Sequence, residues 1–600
     1  MKKKQYLLWT ILSLGLILRL WGVTHGYPHS FYPDEAHFVK RALSFGSGDL
    51  NPHWFHKPAF FMYMLFFNYG LFFLFGKLFH LWSTVTDFAV FYIDNPGPFY
   101  VVGRLMVAFF SMGSVIVTYL IGYRFFNKTT ALIASFVMAV SYGAVISSKD
   151  IKADSACAFF TILSCYFLLV HFKNPSNKRN KWLLLSSCFA GIGAATKVYS
   201  IVMLIPIGFF ILFLDKNTIP RKISNIIIQV VVFSGVYFIL TPFNIIDPWG
   251  RRSTFGFFYT VYDKVALIFT SAQPETVSGV SKEVSNIHYS AFDFLIGVGN
   301  YFSKLSIGLN LAVIILAVLG LAFLLRSQFY LAIVFCLFPF IFIATSVFVN
   351  PGYADLRHQL PLYPYFALLA GFGVSQLTFI RFGFVFSSIL LCGFLIHDVS
   401  RVVEADIDLS REDIRNTAQI WIEANLPAGS KILLDEEGPV LRKSEKQLKG
   451  EFKLAENAEP GPFTTHYATY LDYQLKANLN KITYDIFEIR LPWWRSNQSN
   501  DGVHMLKSKF DADMGNPLRP VGVLPYDQFK EEGYRYAVVQ SRKYGPFIKN
   551  GSLSKHFPEF DEFYDSLFAR GKLLKKFQGK VGAGHPDPIV DMTVCIFELQ

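Results

Sequence analysis

The sequence predicts a multispanning α-helical membrane protein with a C-terminal α/β soluble domain on the outer face, and three observations carry that prediction. The chain is too apolar and aromatic for a soluble domain: 52% of its 600 residues are hydrophobic and only 17% charged, with 64 Phe and 30 Tyr. Apolar runs long enough to cross a hydrocarbon layer of ~30 Å, at about 1.5 Å per residue, recur up to residue 398. Beyond that point charged residues, Pro and Gly return to the levels of a globular domain.

The net charge of +12 would suggest nucleic acid for a soluble protein, but most Lys and Arg fall in short connections between apolar runs, where a bilayer places them. No nucleic-acid partner is expected. Five of the six cysteines lie in apolar runs, so no disulfide framework and no C-x-x-C metal pair can be read. Met1-Lys-Lys-Lys followed by "YLLWTILSLGLILRLWGV" lacks a small-residue cleavage site and reads as a retained signal anchor, amino terminus in the cytoplasm.

The apolar runs fall at 6–23, 99–121, 130–147, 156–172, 182–196, 198–214, 224–243, 306–325, 328–348, 360–379 and 382–398, giving eleven spans. Segment 59–79 is also long enough to cross. A lone crossing there would put the basic connections "YRFFNK", "KNPSNKRNK" and "DKNTIPRK" outside, against the positive-inside rule. It is therefore expected either to bend at Asn68 and Gly70 in the interface, or to cross and return with 81–93, for about 11 to 13 spans in all. The domains expected are a membrane domain over 1–399, with a first outer loop and interfacial helices at 24–98, and an extracytoplasmic domain over 400–600. In the latter "KILLDEE", "ITYDIFEIRL", "YRYAVVQS" and "DMTVCIFEL" alternate as strands, and "REDIRNTAQIWIEAN" reads as a helix closed by Pro427 and Gly429. No repeat period is visible.

This topology gathers the candidate functional charges on one face. The first loop contributes Asp34, Glu35, His37, His53, His56 and Lys57; "SSKDIKAD" contributes Lys149, Asp150, Lys152 and Asp154; Lys197 follows a span end; Arg357 and His358 lie in "GYADLRHQLPLYP". Asp34 follows Pro33 at the start of an amphipathic segment with Phe38, Val39, Ala42 and Phe45 on one face. One reading makes Asp34 an N-cap and nothing more, and Asp154 a solvated loop charge. The other places chemistry at the water boundary: a carboxylate can take a proton from an attacking hydroxyl, or two carboxylates can hold a divalent cation. Lys197, Arg104 and Arg357 can hold a phosphate or can snorkel at helix ends.

"YPDEAHFVKRALSFGSGDLNPHWFHKPAFFMYML" resembles the first outer loop of GT-C type membrane glycosyltransferases, of the dolichyl-phosphate-mannose protein mannosyltransferase and bacterial aminoarabinose transferase kind, with an acidic pair and a later K-P. "YVVGRLMVAFF" through "SSKDIKADSACAFF" is similar to their second to fourth spans and second acidic loop. "GIGAATKVYSIVMLIPI", "LRHQLPLYPYFALLAGFG" and the tail from "IRNTAQIWIEANLPAGSKILL" to "YAVVQSRKY" are similar to later elements in the same order. This chain has Lys57-Pro58-Ala59 where relatives often have K-P-P, and both Asp150 and Asp154 in the second acidic loop.

The resemblance implies a multi-pass integral membrane enzyme with an extracytoplasmic active site; in a prokaryote the membrane would be the plasma or inner membrane, in a eukaryote the outer face would be a lumen. It would move a sugar, with inversion, from a polyprenyl- or dolichyl-phosphate donor among the membrane lipids to a hydroxyl on a protein, lipid or glycan. Asp34 would be the general base, joined in catalysis by Glu35 and Asp154. His37, His56, Lys57, Arg104, Lys149, Asp150, Lys197, Arg357 and His358 would bind substrate. No cofactor and no dedicated metal ligands are expected. In the alternative, a metal-dependent transferase or ligase of lipid-linked glycans, Asp34, Glu35 and Asp154 would hold Mg or Mn. A transporter or flippase would need ionisable groups near mid-bilayer and often repeated halves. A non-catalytic assembly protein would only anchor its outer domain.

Overall fold

A computed structural model describes residues 2–173, 181–251, 291–349, 355–457, 466–490, 494–496, 503–505, 522–548, 551, 553–582 and 589–600. The first helices are α1 (Lys2–Leu20), α2 (Pro33–Ser44), α3 (Phe60–Leu78), α4 (Val85–Asp94), α5 (Gly97–Phe125), α6 (Lys128–Val140), α7 (Tyr142–Ile146), α8 (Asp154–Lys173) and α9 (Lys181–Thr196). Six described helices are long and apolar enough to cross a membrane: α3, α5, α8, Ile219–Leu240, Phe329–Val349 and the one starting at Gly383. The pair Phe294–Leu309 and Leu311–Ser327, bent by 110°, brings the number to seven if it makes one span; α1 and α6 are shorter apolar helices.

Two sequence expectations need correction. Segment 60–78 does not bend at Asn68 and Gly70; it is one helix, because the Asn68 amide donates back to the Met64 carbonyl at 2.8 Å and reaches Met106 Sδ at 3.1 Å, so its polar group is satisfied inside the packing. The following helix α4, opened by a Thr84–Asp87 capping box, has ten residues and spans about 15 Å, too short to return across ~30 Å. The run 306–325 is also not one helix. Asn310 sits at φ 71°, a left-handed conformation Asn tolerates, and its side-chain oxygen accepts from Ala312 N to start a new helix.

Helix α5 packs against α6 and α8 in the principal core. A Cβ on its Gly103 would meet Ile151 Cδ1 at 2.5 Å, so the missing side chain lets the loop before α8 lie directly on α5. The helix Gly383–Ser410 runs unbroken past residue 399, from an exposed apolar end at Phe384, Val385 and Phe386 to an acidic end at Asp406 and Asp408.

The chain after Ser410 forms strands β1 (Lys431–Asp435), β2 (Asp485–Ile489), β3 (Trp494–Ser496), β4 (Val503–Met505), β5 (Tyr536–Gln540), β6 (Lys572–Gly582) and β7 (Ile589–Glu598). Five make a sheet in the order β2-β1-β5-β7-β6; β1 is parallel to β2 and β5, and β7 is antiparallel to β5 and β6. Alternation buries both faces. Leu433, Ala537, Val539, Cys595 and Phe597 pack under Phe560, Phe563 and Leu567 of the helix Pro558–Arg570, while Ile432, Val538, Val594 and Ile596 pack with Ala418 and Ile422 of the helix Ile414–Asn425.

This α/β unit docks on the first loop. Asn416 Nδ2 donates to the carbonyls of Gly26 (3.0 Å) and Tyr27 (2.8 Å), the Arg415 guanidinium lies 3.8 Å from the Phe31 ring centroid, and Arg442 pairs with Asp94 at 2.8 Å.

Candidate active site

Helix α2 places the two acids apart. Its N-cap is Tyr32, in an extended conformation with Pro33 at the first helical position, and no side chain caps the helix, so Asp34 is not the N-cap. Successive helical residues point about 100° apart. Glu35 therefore joins the buried face with Phe38, Val39 and Ala42, while the Asp34 carboxylate remains 29% exposed.

The Asp34 carboxylate meets three groups from distant parts of the chain. Arg357 Nη1 donates to its Oδ2 at 2.5 Å, the Tyr32 hydroxyl donates to the same oxygen at 3.1 Å, and Lys57 Nζ lies 3.6 Å away. Arg357 also donates to the Tyr32 hydroxyl oxygen at 2.8 Å and pairs through Nε with Asp355 at 2.7 Å. Burial opposes the charge on Asp34, but Lys57 and Arg357 outweigh it and hold the carboxyl well below the usual carboxylate range. Burial, helped by the charges of Lys197 and Arg357, pulls the Lys57 ammonium down to about 8 despite Asp34.

Beside this cluster Lys197 Nζ donates to Asp154 Oδ1 at 2.5 Å, both side chains being nearly buried. The same ammonium lies 4.6 Å from the Tyr199 ring centroid, and Tyr199 meets His358 edge-on at 5.8 Å. Burial first, then the Lys197 charge, keeps His358 far below its ordinary value, so it is a neutral imidazole. The two groups are electrostatically continuous, since Lys57 feels Lys197 and Asp154, and Asp154 feels Arg357 and His358. His37 stacks on Trp54 at 5.9 Å and His56 approaches the same ring at 5.7 Å, while Lys57 lies 4.9 Å from the Phe38 ring; these form one wall.

Four candidates from the sequence stand elsewhere. Glu35 is fully buried and its oxygens are taken: Arg104 donates through Nε (2.9 Å) and Nη2 (2.7 Å), Ser30 Oγ at 2.5 Å and Ile151 N at 2.9 Å. Arg104 spends both Nη1 donors on the carbonyls of Val23 and His25, so four of its five donors are engaged inside the protein. Asp150 is buried against Lys152 (2.8 Å) and His25 (3.3 Å). Lys149 donates to the Leu18 and Trp21 carbonyls and pairs with Asp406 at 2.7 Å, tying α1 to the long helix. Glu35, Arg104, Lys149 and Asp150 thus stand apart from the Asp34 cluster, engaged with partners inside the protein. A divalent ion shared by Asp34, Glu35 and Asp154 does not fit: Glu35 is turned into Arg104, and the other two carboxylates already hold cations.

Sequence reasoning did not single out Tyr32, Tyr199, Trp54 and Asp355. Each lies within three residues of a chosen charge, and that proximity was the available signal.

Residues 99–244, which include Arg104, Asp154 and Lys197, match the model of the dolichyl-phosphate-mannose-protein mannosyltransferase family. The resemblance to GT-C type membrane glycosyltransferases is thereby borne out. Among curated proteins the chain is similar to the Bacillus subtilis (strain 168) protein named "Putative mannosyltransferase YkcB", 32% identical over 126 residues; the match takes in 21% of this chain and 17% of the length of that relative. Among solved structures it is similar to ArnT from Cupriavidus metallidurans bound to undecaprenyl phosphate, at 13% identity and TM-score 0.47, covering 98% of this chain and 97% of that one. It is also similar to the archaeal oligosaccharyltransferase AglB from Archaeoglobus fulgidus in complex with an inhibitory peptide and a dolichol-phosphate, at 11% identity and TM-score 0.48, covering 98% and 74%.

Proposed function

We propose that the chain is a membrane glycosyltransferase that moves a sugar from a polyprenyl- or dolichyl-phosphate donor to an acceptor hydroxyl on the outer face, with about eleven spans and the C-terminal domain on that same side. The observation that carries this reading is the partly exposed Asp34 carboxylate held between Lys57 and Arg357, with the Asp154–Lys197 pair alongside. Lys57, Arg357 and Lys197 bind the donor phosphate, Arg through a fork and the lysines as point charges.

The acceptor oxygen attacks the anomeric carbon from the face opposite the phosphate, and the new glycosidic bond forms as the bond from that carbon to the phosphate oxygen breaks. Configuration inverts. The acceptor proton passes to Asp34, and the bonding pair leaves on the phosphate, whose charge the three cations stabilise. A carboxylate is a weak base for an alcohol, so the proton moves late, and positioning with charge stabilisation supplies most of the rate. His37, His56 and Trp54 line the acceptor side. Mannose is the first sugar to test, since the family and the relative are both named for it.

The test is transfer in proteoliposomes from polyprenyl-phosphate [³H]mannose, read as water-soluble or acceptor-linked label. Wild type is expected to release label and Asp34→Asn to release none while eluting as wild type on gel filtration. An Asp34→Asn protein within about threefold of wild type, which is about 0.65 kcal/mol in the barrier, overturns the assignment of the base.

A further inference from the structure

A second cluster of chemistry-bearing side chains lies outside the proposed site and joins the two parts of the molecule. Asp49 follows Gly48, which closes the turn after α2 at φ 94°. Two histidines converge on Asp49 Oδ2: His53 Nε2 at 2.7 Å, and His466 Nε2, at the start of the helix Tyr467–Ala477, at 3.2 Å. The three ligand atoms lie within 4.8 Å of one another.

Both histidines aim from unusual backbone, His53 at φ 48° and His466 at φ 64°. A left-handed conformation is uncommon outside glycine, and its occurrence at both histidines of one cluster, 413 positions apart in sequence (466 − 53), gives each ring its approach to Asp49. The loop is braced as ligand loops are. Asn51 N donates to Asp49 Oδ1 at 2.9 Å, His53 N donates to Asn51 Oδ1 at 3.1 Å, and Asn51 Nδ2 donates to Asp247 Oδ2 at 2.8 Å. Outer hydrogen bonds of this kind orient ligating side chains. A second group of histidine and carboxylates among the described residues, His25, Glu35 and Asp150, differs in that Arg104 and Lys152 already neutralise it.

We propose that Asp49, His53 and His466 bind a borderline divalent transition metal, zinc in the first instance, which clasps the C-terminal domain to the first outer loop. Two imidazoles and one carboxylate are a three-ligand set for zinc with a fourth position left to water, and imidazole disfavours magnesium. In a tetrahedral zinc site ligand atoms stand about 3.3 Å apart; the distances of 2.7 and 3.2 Å both fall short of that value, the first by more, so the site accepts the ion with a small outward shift of His53. All three side chains are partly exposed, which gives the ion an entry path. The clasp completes contacts already in place, Lys40 over the Tyr470 ring at 4.8 Å and Arg442 with Asp94. Because His53 is four residues before Lys57, the metal would set the position of the loop that carries Lys57. That consequence rests on the proposed function; the binding itself does not.

The test uses the full-length chain, purified with a cleavable tag free of histidine, stripped with a chelator, exposed to ZnCl2 and gel-filtered before metal analysis by mass spectrometry. Wild type is expected to retain about one equivalent of zinc, and His53→Ala and His466→Ala to lose zinc affinity by more than about tenfold. Titration with Co²⁺ gives a second readout, visible absorption of a four-coordinate ion in wild type that Asp49→Asn lacks. A wild-type protein that retains no zinc, or monodisperse variants that retain as much as wild type, overturns the proposal whatever the transfer assay shows.

Discussion

Glu35→Gln tests whether the buried carboxylate paired with Arg104 holds the fold rather than taking part in the chemistry. The substitution keeps size and shape, but replaces a carboxylate oxygen that accepts from Arg104, Ser30 or Ile151 with an amide that can only donate. The Gln oxygen that remains keeps one of the two hydrogen bonds from fully buried Arg104, but the guanidinium charge loses its partner carboxylate. Breaking a buried ion pair from one side destabilises by roughly 3–5 kcal/mol, and the four donors converging on Glu35 place this pair at the upper end. The measurement is the temperature of half-aggregation in detergent at a fixed heating rate, together with transfer activity normalised to protein that remains monodisperse on gel filtration. The expected result is a large fall in thermal midpoint with activity per folded molecule kept within a few-fold. A variant as stable as wild type but inactive would refute the structural role and return Glu35 to catalysis.

Three further outcomes follow from the same geometry. Arg357→Ala and Lys197→Ala should each weaken donor use by roughly 1.5–3 kcal/mol in kcat/KM, the range of charged hydrogen bonds; unchanged donor kinetics in both would make them structural charges. Lys57 is charged below its value of about 8 and neutral above it, so kcat/KM for the donor should be highest below pH 8 and fall about tenfold per unit above it, whereas Lys57→Arg should keep the plateau to higher pH; a limb that persists in the arginine variant belongs to another group. With all native cysteines replaced, a cysteine at exposed position Lys449 should react with a membrane-impermeant thiol reagent on intact cells and one at Lys216 should not; the reverse pattern would put the C-terminal domain on the inner face.

The membrane character, the strands and the five charges that meet at the candidate site, Asp34, Lys57, Asp154, Lys197 and Arg357, were legible because each rests on a one-dimensional signal: hydropathy, alternation, or a charge at the end of an apolar run. Asp34 against Glu35 was not legible. Adjacent residues on a helix face different ways, and only the packing of α2 on α5 decides that Glu35 points inward to Arg104. Arg104 read as a phosphate ligand for the same reason, since nothing local reveals that the Val23 and His25 carbonyls turn back to meet it. The break at Asn310 was hidden because an apolar run gives no sign of a 110° bend when Asn, rather than Pro, makes it.

Asp34 is held by the same two cations proposed to bind the donor phosphate, and this makes a prediction opposite to the usual expectation for a catalytic variant. Arg357 and Lys57 hold the carboxylate so far into its ionised range that it is a poor base while they remain on it. On the proposed reading a donor phosphate competes for both cations. As it draws them off, the carboxylate loses its stabilising charges, its affinity for a proton rises, and the acceptor can be deprotonated only when the donor is in place. Asp34→Asn removes the competitor. Arg357 keeps Asp355 and Tyr32 and so stays ordered, but its charge is no longer shared with Asp34. The variant should therefore bind polyprenyl phosphate more tightly than wild type while transferring nothing. One charged hydrogen bond is worth roughly 1.5–3 kcal/mol, and Asp34 is partly exposed, so screening takes the smaller part of that range, about tenfold in Kd. Isothermal titration with a short-chain polyprenyl phosphate measures it directly. Weaker or equal binding by Asp34→Asn would mean that the phosphate does not sit where Asp34 now holds Arg357 and Lys57, and the proposed coupling of donor occupancy to base strength would fall with it.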